Sequence, residues 1–219
     1  MLTREGGRKS AVYRIPRSRH GRNLKQHFQP LNIIELTYEQ RNSTSLPNIK
    51  DARMAEPYVN IPFDQVKLSV AFFIAEFLSM ATRAEQQDAP LYDFLEQSLL
   101  WYDATDGATA NFHIMLMMKI SLFLGFYPDV ESYSEGSYFD LRAGNFSAEV
   151  PCHRDFLRPQ ESRTMLLLMR MSPANMHVFR FSQAERNIAT DFMLRFYSLH
   201  IPGFHEPQSW NVLKEIFRI

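Results

Sequence analysis

The sequence predicts an α+β fold in which a small, basic β module precedes a mainly helical domain. Three observations support this prediction. A β-branched run occupies residues 30–38, apolar residues recur at helical spacing from residue 62 onward, and the positive charge is concentrated in the first 30 residues. We place the β module at residues 1–57 and the helical domain at residues 58–219.

The predicted strands lie early in the chain. Residues 10–15 have short β character that Pro16 ends, and residues 30–38 form the clearest strand. The turn-forming residues 42–47 follow, and residues 46–53 are a further strand or an extended edge. The β module therefore contains about three strands.

Helical spacing of apolar residues governs the rest of the chain, apart from a small hairpin predicted within residues 137–150. The helix near residues 109–124 is apolar almost all round, so we expect it to be buried, with Gly125 at its C-terminal cap. Ser182 and Glu185 form a capping-box pattern. The other predicted helices cover residues 62–85, 90–102, 162–171, 182–199 and 207–218.

Composition narrows the class of protein. The 219 residues have no net charge, and 45% of them are hydrophobic. Cys152 is the single cysteine, which suits a reducing compartment. No apolar stretch follows the first charges, and the longest apolar runs are interrupted by Glu76 and Lys119. We therefore expect a soluble cytoplasmic protein with no signal peptide and no membrane partner.

Metal and cofactor sites are not predicted. The candidate ligands are Cys152 with His153, and His200 with His205, whereas a structural zinc site needs four ligands, usually with paired cysteines. Gly6-Gly7 is the only glycine pair, so no phosphate-binding loop or dinucleotide fingerprint is present.

Catalytic groups are not predicted either. Cys152 lacks a local nucleophile signature, and no Gly-x-Ser-x-Gly motif occurs. Asp103 and Asp106 have the composition of a solvated turn. We therefore predict a protein that is not an enzyme and has no catalytic residues, metal or cofactor.

One constellation remains, which we call the basic segment, residues 14–25. Residues 1–30 carry eight Lys or Arg against one acid, Glu5, so the remaining chain has a net charge of −7. Arginine forks onto phosphates, and polyanion binding gains free energy from released counterions. Tyr13, His27 and Phe28 flank the segment and are candidates for stacking on bases. The fixed cations within it are Arg14, Arg17, Arg19, Arg22 and Lys25.

The order and spacing of several stretches resemble the RecO family over nearly the whole chain. The junction Phe28-Gln-Pro-Leu31 after a basic stretch is similar to that family's entry into a strand. Further matching stretches are Ile49-Lys-Asp-Ala-Arg53, Phe123-Leu-Gly-Phe-Tyr-Pro128, Phe139-Asp-Leu-Arg-Ala-Gly144, Phe196-Tyr-Ser-Leu-His-Ile201 and Ser209-Trp-Asn-Val-Leu213.

The resemblance implies an N-terminal OB fold, a helical C-terminal domain and a role as a recombination and repair mediator. RecO proteins bind DNA, anneal complementary strands, contact the tail of single-stranded DNA-binding protein (SSB), and act with RecR to load RecA. By this analogy the five cations of the basic segment contact single-stranded DNA, with double-stranded DNA as a further partner and the nucleoid as the location. The SSB tail, acidic with an apolar end, suits a groove rimmed by Arg180, Arg186 and Arg195 beside Phe179, Phe192 and Phe196.

Two departures from the family pattern change these expectations. Many relatives hold zinc with four cysteines after the Leu-Gly-Phe stretch, where this chain has only Cys152, so we expect no zinc here. Relatives also begin with an additional strand before the part that matches residues 1–5. Because an OB barrel has five strands, we expect an incomplete barrel that lacks its first strand.

Two other classes of protein remain as alternatives. A helical one-component transcription regulator also combines a basic N-terminus with a helical body, but it needs a helix-turn-helix in the first fifty residues. Pro16, Pro30 and the β-branched run disfavour that motif. An enzyme that uses the histidines is the second alternative, and stoichiometric bound metal would support it.

Overall fold

A computed structural model describes residues 1–14, 25–39, 46–82, 87–107 and 109–216 of the chain. The chain divides into two compact units, Met1–Ala104 and Thr105–Ile219, which we call the N-terminal and C-terminal units. The domain boundary predicted between residues 57 and 58 stays a prediction. Mixed helix and antiparallel sheet confirm the α+β class.

The N-terminal unit contains two antiparallel strand pairs. The short strands β1 (Leu2–Thr3) and β2 (Gly7–Arg8) pair with each other, and β3 (Ile33–Glu39) pairs with β4 (Asn48–Glu56). The sequence predicted β3 and β4 but not β1 and β2, which have only two residues each. Of the predicted strand at residues 10–15, the structure describes residues 10–14 and shows a single parallel bridge from Val12 to Asn48. The OB-like arrangement and the absence of a first strand stay predictions.

Two helices complete the N-terminal unit, α1 (Gln65–Ala81) and α2 (Ala89–Ala104). The sequence predicted α1 from Pro62, but it begins after Asp64, whose carboxylate accepts hydrogen bonds from the N–H groups of Val66 and Lys67. This is an N-cap, which satisfies two of the amide donors that a helix start leaves without partners. The predicted far end, at residue 85, lies outside the described residues.

Asp103 corrects the sequence interpretation. It lies in the last turn of α2 and is only 5% exposed, rather than in a solvated turn. Its carboxylate accepts the N–H groups of Val59, Asn60 and Ile61 at 2.7–2.9 Å. The Lys67 ammonium donates to the Asp103 carbonyl at 2.9 Å. This Asp103 clamp holds the chain that leaves β4 against the end of α2.

The C-terminal unit begins with α3 (Phe112–Phe123), which is buried almost all round, as its sequence predicts. The Gly125 N–H donates to the Leu122 carbonyl and the Phe126 N–H donates to the Ser121 carbonyl. With Gly125 at a φ of +82°, this is a Schellman motif, so the predicted glycine cap is confirmed.

A three-stranded antiparallel sheet follows. Its strands β5 (Tyr138–Asp140) and β6 (Asn145–Ser147) form the predicted hairpin, and β7 (Phe156–Leu157) adds to the other side of β5. The sequence did not predict β7. Phe139 on the central strand is fully buried and packs edge-to-face against Phe146.

The unit ends in α4 (Pro159–Arg170), α5 (Gln183–His200) and α6 (Ser209–Ile216), with a 3-10 turn at Met176–Val178. Ser182 and Glu185 form the predicted capping box at the start of α5. Within the described ranges, no helix has both the length and the apolar character that crossing a membrane requires.

Candidate nucleic-acid interface

The two ends of the basic segment meet in space. The rings of Tyr13 and Phe28, which flank the segment on either side, lie 5.0 Å apart. Both ends are also attached to β4. Val12 exchanges backbone hydrogen bonds with Pro47 and Ile49, each 2.8 Å long, and a His27 ring nitrogen lies 3.2 Å from the Ala52 carbonyl. The residues that flank the basic segment on both sides are therefore attached to β4, and its five cations occur within twelve residues of the sequence.

The turn that leads from the basic segment into β3 is built by side chains. The Asn32 amide donates to the carbonyls of Gln26 and His27, which end a helical turn at residues 25–27. Leu31 has a φ of +66°, a left-handed conformation that costs a non-glycine residue about 1–3 kcal/mol. The Tyr58 hydroxyl donates to the Leu31 carbonyl at 2.8 Å and so helps to hold this conformation. The stretch Phe28-Gln-Pro-Leu31 thus forms a defined turn.

Three cations that precede the basic segment make contacts within the N-terminal unit: Arg4 pairs with Asp93, Arg8 donates to the Ser79 carbonyl, and the Lys9 ammonium lies 5.9 Å from the ring centre of Tyr38. All three lie outside the basic segment. The cations of β4 are paired as well, Lys50 with Glu39 and Arg53 with Glu35.

Arg14 and Lys25 stand at the two ends of the basic segment. Both are exposed, and neither forms an ion pair with any described residue. Arg17, Arg19 and Arg22, the other predicted DNA contacts, lie outside the described residues. Tyr13, His27 and Phe28 are half-buried beside the exposed cations. The structure thus brings the aromatic flanks and the terminal cations of the basic segment to one place, an arrangement that suits a single-stranded polyanion with stacking bases.

Of the three arginines predicted to rim a groove for the SSB tail, Arg186 and Arg195 lie on different sides of one helix. Arg186 and Arg195 are nine positions apart on α5, about two and a half turns, so they project from opposite sides of the helix. Arg186 is half-buried and donates to the Phe181 carbonyl, whereas Arg195 is exposed and pairs with Asp155. Arg180 is exposed and precedes the helix. The aromatic neighbours Phe179 and Phe192 are half-buried and Phe196 is fully buried.

Cys152 and His153 do not form a catalytic pair. One nitrogen of His153 lies 3.1 Å from Asp140 Oδ2, and the other accepts the Asp155 N–H at 3.2 Å. Because both ring nitrogens are engaged, His153 has none left to act as a base toward the exposed Cys152.

The other two histidines considered as metal ligands also lie in structural contacts. A His200 ring nitrogen lies 2.9 Å from the Leu141 carbonyl while the ring stacks on Phe126, and His205 is exposed. The residues that the structure describes contain no cluster of three or more His, Cys, Asp or Glu able to bind a metal. A four-thiolate zinc site does not fit a chain with one cysteine.

Comparison with known proteins shows the family of this chain. Residues 62–208 match the family model described as "Recombination protein O C terminal". The chain belongs to the RecO family. The DNA repair protein RecO of Phocaeicola vulgatus is 42% identical over 99% of this chain and 90% of its own length. The RecO proteins of Bacteroides fragilis and Porphyromonas gingivalis are 38% and 33% identical over the same shares of both chains.

Family membership places the chain among DNA repair and recombination proteins. The region of the RecO model covers α1 through α5, whereas the basic segment and its strands precede it. Sequence reasoning did not find two polar clusters in the RecO fold, the Asp103 clamp and a set of arginines around Asp155. Both are assembled from residues far apart in the sequence, so no local pattern indicates them.

Proposed function

We propose that this RecO protein binds single-stranded DNA through the basic segment and anneals complementary strands. The observation that carries the proposal is the contact between the residues that flank the segment. The rings of Tyr13 and Phe28 lie 5.0 Å apart, and the nearby Arg14 and Lys25 are exposed and form no ion pair with a described residue. Five fixed cations between two anchored ends give a local charge that the nearly neutral chain as a whole lacks. Double-stranded DNA offers the same phosphates and is expected to bind as well.

The proposed mechanism involves no bond chemistry. Cations of the basic segment neutralise phosphates, which releases counterions and lowers the repulsion between two approaching strands. The aromatic flanks stack on unpaired bases and keep the strand free of secondary structure until its complementary strand arrives. A protein acting this way needs no catalytic group, metal or cofactor, and we propose that this chain is not an enzyme.

We also propose that the chain contacts the SSB tail and RecR and helps to load RecA, in the cytoplasm and on the nucleoid. Its membership of the RecO family supports these partners. The tail contacts at Arg180, Arg186 and Arg195 stay a prediction. Because α5 turns Arg186 and Arg195 to opposite sides, at most one of these two arginines lines a given groove.

The transcription-regulator alternative gains no support. The described part of the first 57 residues consists of β1 to β4, one helical turn at residues 25–27 and their connections, and it contains no helix-turn-helix.

Single-stranded DNA binding at several salt concentrations tests the proposal. The triple variant Arg17→Glu, Arg19→Glu, Arg22→Glu is expected to lower the affinity for an oligo-dT strand by about two orders of magnitude at physiological salt. Neutralising Arg14 and Lys25 to glutamine is expected to reduce the slope of log affinity against log salt by about 1.4, since each phosphate contact contributes roughly 0.7 for a single strand.

The matched control is Lys50→Gln with Arg53→Gln. It also removes two cations from the N-terminal unit, but these are already paired with Glu39 and Glu35. The control is expected to bind like the wild type. Equal losses in the control and in the Arg14, Lys25 variant would contradict a role for the basic segment and would indicate a response to overall charge alone.

A further inference from the structure

Two arginines of the C-terminal unit share one carboxylate at the surface. Arg142 donates to Asp155 Oδ2 from Nε at 2.7 Å and from Nη2 at 2.6 Å. Arg195 donates from Nη2 to Asp155 Oδ1 and to the Arg154 carbonyl, both at 2.7 Å. The residues come from the turn after β5, from the position just before β7 and from α5. We call Arg142, Asp155 and Arg195 the Asp155 cluster.

A rigid support holds the Asp155 cluster in place. Asp140 Oδ1 accepts the N–H groups of Arg142 and Ala143, which fixes the turn from which Arg142 projects. Asp140 Oδ2 contacts His153, and His153 in turn accepts the Asp155 N–H. The Leu141 N–H donates to the Asp155 carbonyl at 3.0 Å. Each charged side chain therefore starts from backbone that is itself hydrogen-bonded.

The carboxylate lies beneath the two cations. The side chain of Asp155 is 18% exposed, whereas those of Arg142 and Arg195 are 57% and 45% exposed. Hydrogen bonds from Arg195 and Arg142 lower the pKa of Asp155, which is therefore ionised at neutral pH. The carboxylates of Asp140 and Asp155 together offset the charges of Arg142 and Arg195, so the local excess of one positive charge comes from the exposed Arg154.

Some guanidinium donors of the Asp155 cluster have no partner among the described residues. Nη1 of Arg142, and Nε and Nη1 of Arg195, donate to no described residue. The shared carboxylate restrains both guanidinium groups, so an incoming anion would order them at little further cost in side-chain entropy. An anion between the two arginines would also offset their mutual repulsion.

We propose that Arg142 and Arg195, held by Asp155, form a second phosphate-binding site for the DNA backbone. The site lies on the C-terminal unit, apart in sequence from the basic segment, and it rests on the proposed DNA binding. A phosphodiester suits it because its oxygens accept several N–H donors at once, and guanidinium forks match that geometry. Contacts of this kind fix the position of a strand without reading its sequence.

The test measures binding of a dT strand of about 40 nucleotides, longer than the roughly 4–16 nucleotides that one OB fold occupies. The variant Arg142→Gln, Arg195→Gln is expected to bind about tenfold more weakly at low salt and to lose about 1.4 from the salt slope. The control Arg163→Gln, Arg170→Gln removes two exposed cations from α4 and is expected to leave both values unchanged. Equal behaviour of the two double variants would overturn the proposal.

A variant that keeps both arginines distinguishes an effect of their restrained geometry from an effect of net charge. Asp155→Asn raises the net charge by one but releases the guanidinium groups. If the restrained arginine pair binds phosphate, this variant is expected to bind DNA more weakly than the wild type. Tighter binding would overturn the proposal. If the double variant fails to fold, as judged by circular dichroism, the single variant Arg142→Gln, which leaves Arg195 on Asp155, is used in its place.

DNA binding by the wild type and titration of an SSB tail peptide show which proposal a given result contradicts. If the wild type fails to bind the strand, the proposed function itself fails, whereas loss of binding only in basic-segment variants rejects this second site alone. Leu199 is 38% exposed and lies one turn beyond Arg195. An acidic peptide with an apolar end could therefore pair with Arg195 and pack its apolar end on Leu199. An SSB tail peptide is therefore titrated in parallel, and loss of peptide binding without loss of DNA binding in the Arg142, Arg195 variant would assign the site to the peptide and overturn the proposal.

Discussion

Replacing Asp103 by alanine is expected to lower the free energy of unfolding by about 3–5 kcal/mol. The Asp103 carboxylate accepts three backbone N–H groups, and the residue is 5% exposed. Each donor left without a partner in a buried place costs about 1–3 kcal/mol. Asp103→Asn is expected to fall between the wild type and the alanine variant, because one of its two terminal atoms donates rather than accepts. Denaturant unfolding of the full chain measures the effect.

Asp93→Ala provides the matched control in the same helix. Its carboxylate pairs with Arg4 in solvent, where an ion pair contributes about 0–1 kcal/mol. We expect this variant to unfold close to the wild type. A loss below about 1 kcal/mol for Asp103→Ala would contradict the clamp as a main support of the N-terminal unit.

Acid is expected to destabilise the fold through His113, starting near pH 6.5. Burial lowers the pKa of His113 to about 3, with a smaller contribution from the charge of Arg186. The ring is fully buried and lies 3.1 Å from the Thr190 hydroxyl. The unfolded chain binds a proton at His113 below pH 6.5, whereas the folded chain does not until about pH 3. Stability therefore falls as the pH falls through this window, by at most about 1.4 kcal/mol per pH unit.

A comparison between two pH values isolates this histidine. The wild type is expected to lose about 2–3 kcal/mol through His113 between pH 6.5 and pH 4.5. His113→Gln removes that titration, so its unfolding free energy should change less over the same interval whatever its value at neutral pH. Parallel pH profiles for the two proteins would show that His113 does not carry the effect.

Local sequence signals predicted the parts of the fold that local contacts determine. The capping box of Ser182 and Glu185 marks the start of α5, and Gly125 marks the end of α3, because each motif is completed within a few residues. The all-round apolar character of α3 indicated its burial for the same reason. The strand β3 was recognisable from its β-branched residues.

Long-range contacts account for what the sequence did not reveal. β1, β2 and β7 are two residues long, too short for a periodic pattern. The sequence around Asp103 is typical of a turn, because its partners at residues 59–61 are more than forty positions away in the chain. The sequence identifies Arg195 as a cation on a helix, but its pairing with Asp155, forty positions earlier, depends on the packing of α5 near β7.

The candidate interface shows the same division. Charge clustering indicated the basic segment, since a run of cations is visible without any structure. The meeting of Tyr13 with Phe28 follows from the attachment of both ends to β4, which the sequence does not encode locally. Composition alone also did not separate Arg4, Arg8 and Lys9, which serve the fold, from the cations of the segment.

The annealing rate of complementary strands coated with the cognate SSB tests whether the protein anneals DNA through its basic segment. The wild-type protein is expected to accelerate annealing, and the variant Arg17→Glu, Arg19→Glu, Arg22→Glu is expected to lose the acceleration while it retains the wild-type circular dichroism spectrum. No acceleration by a wild-type protein that binds single-stranded DNA would contradict the mediator function. Equal acceleration by both proteins would contradict the role of the basic segment.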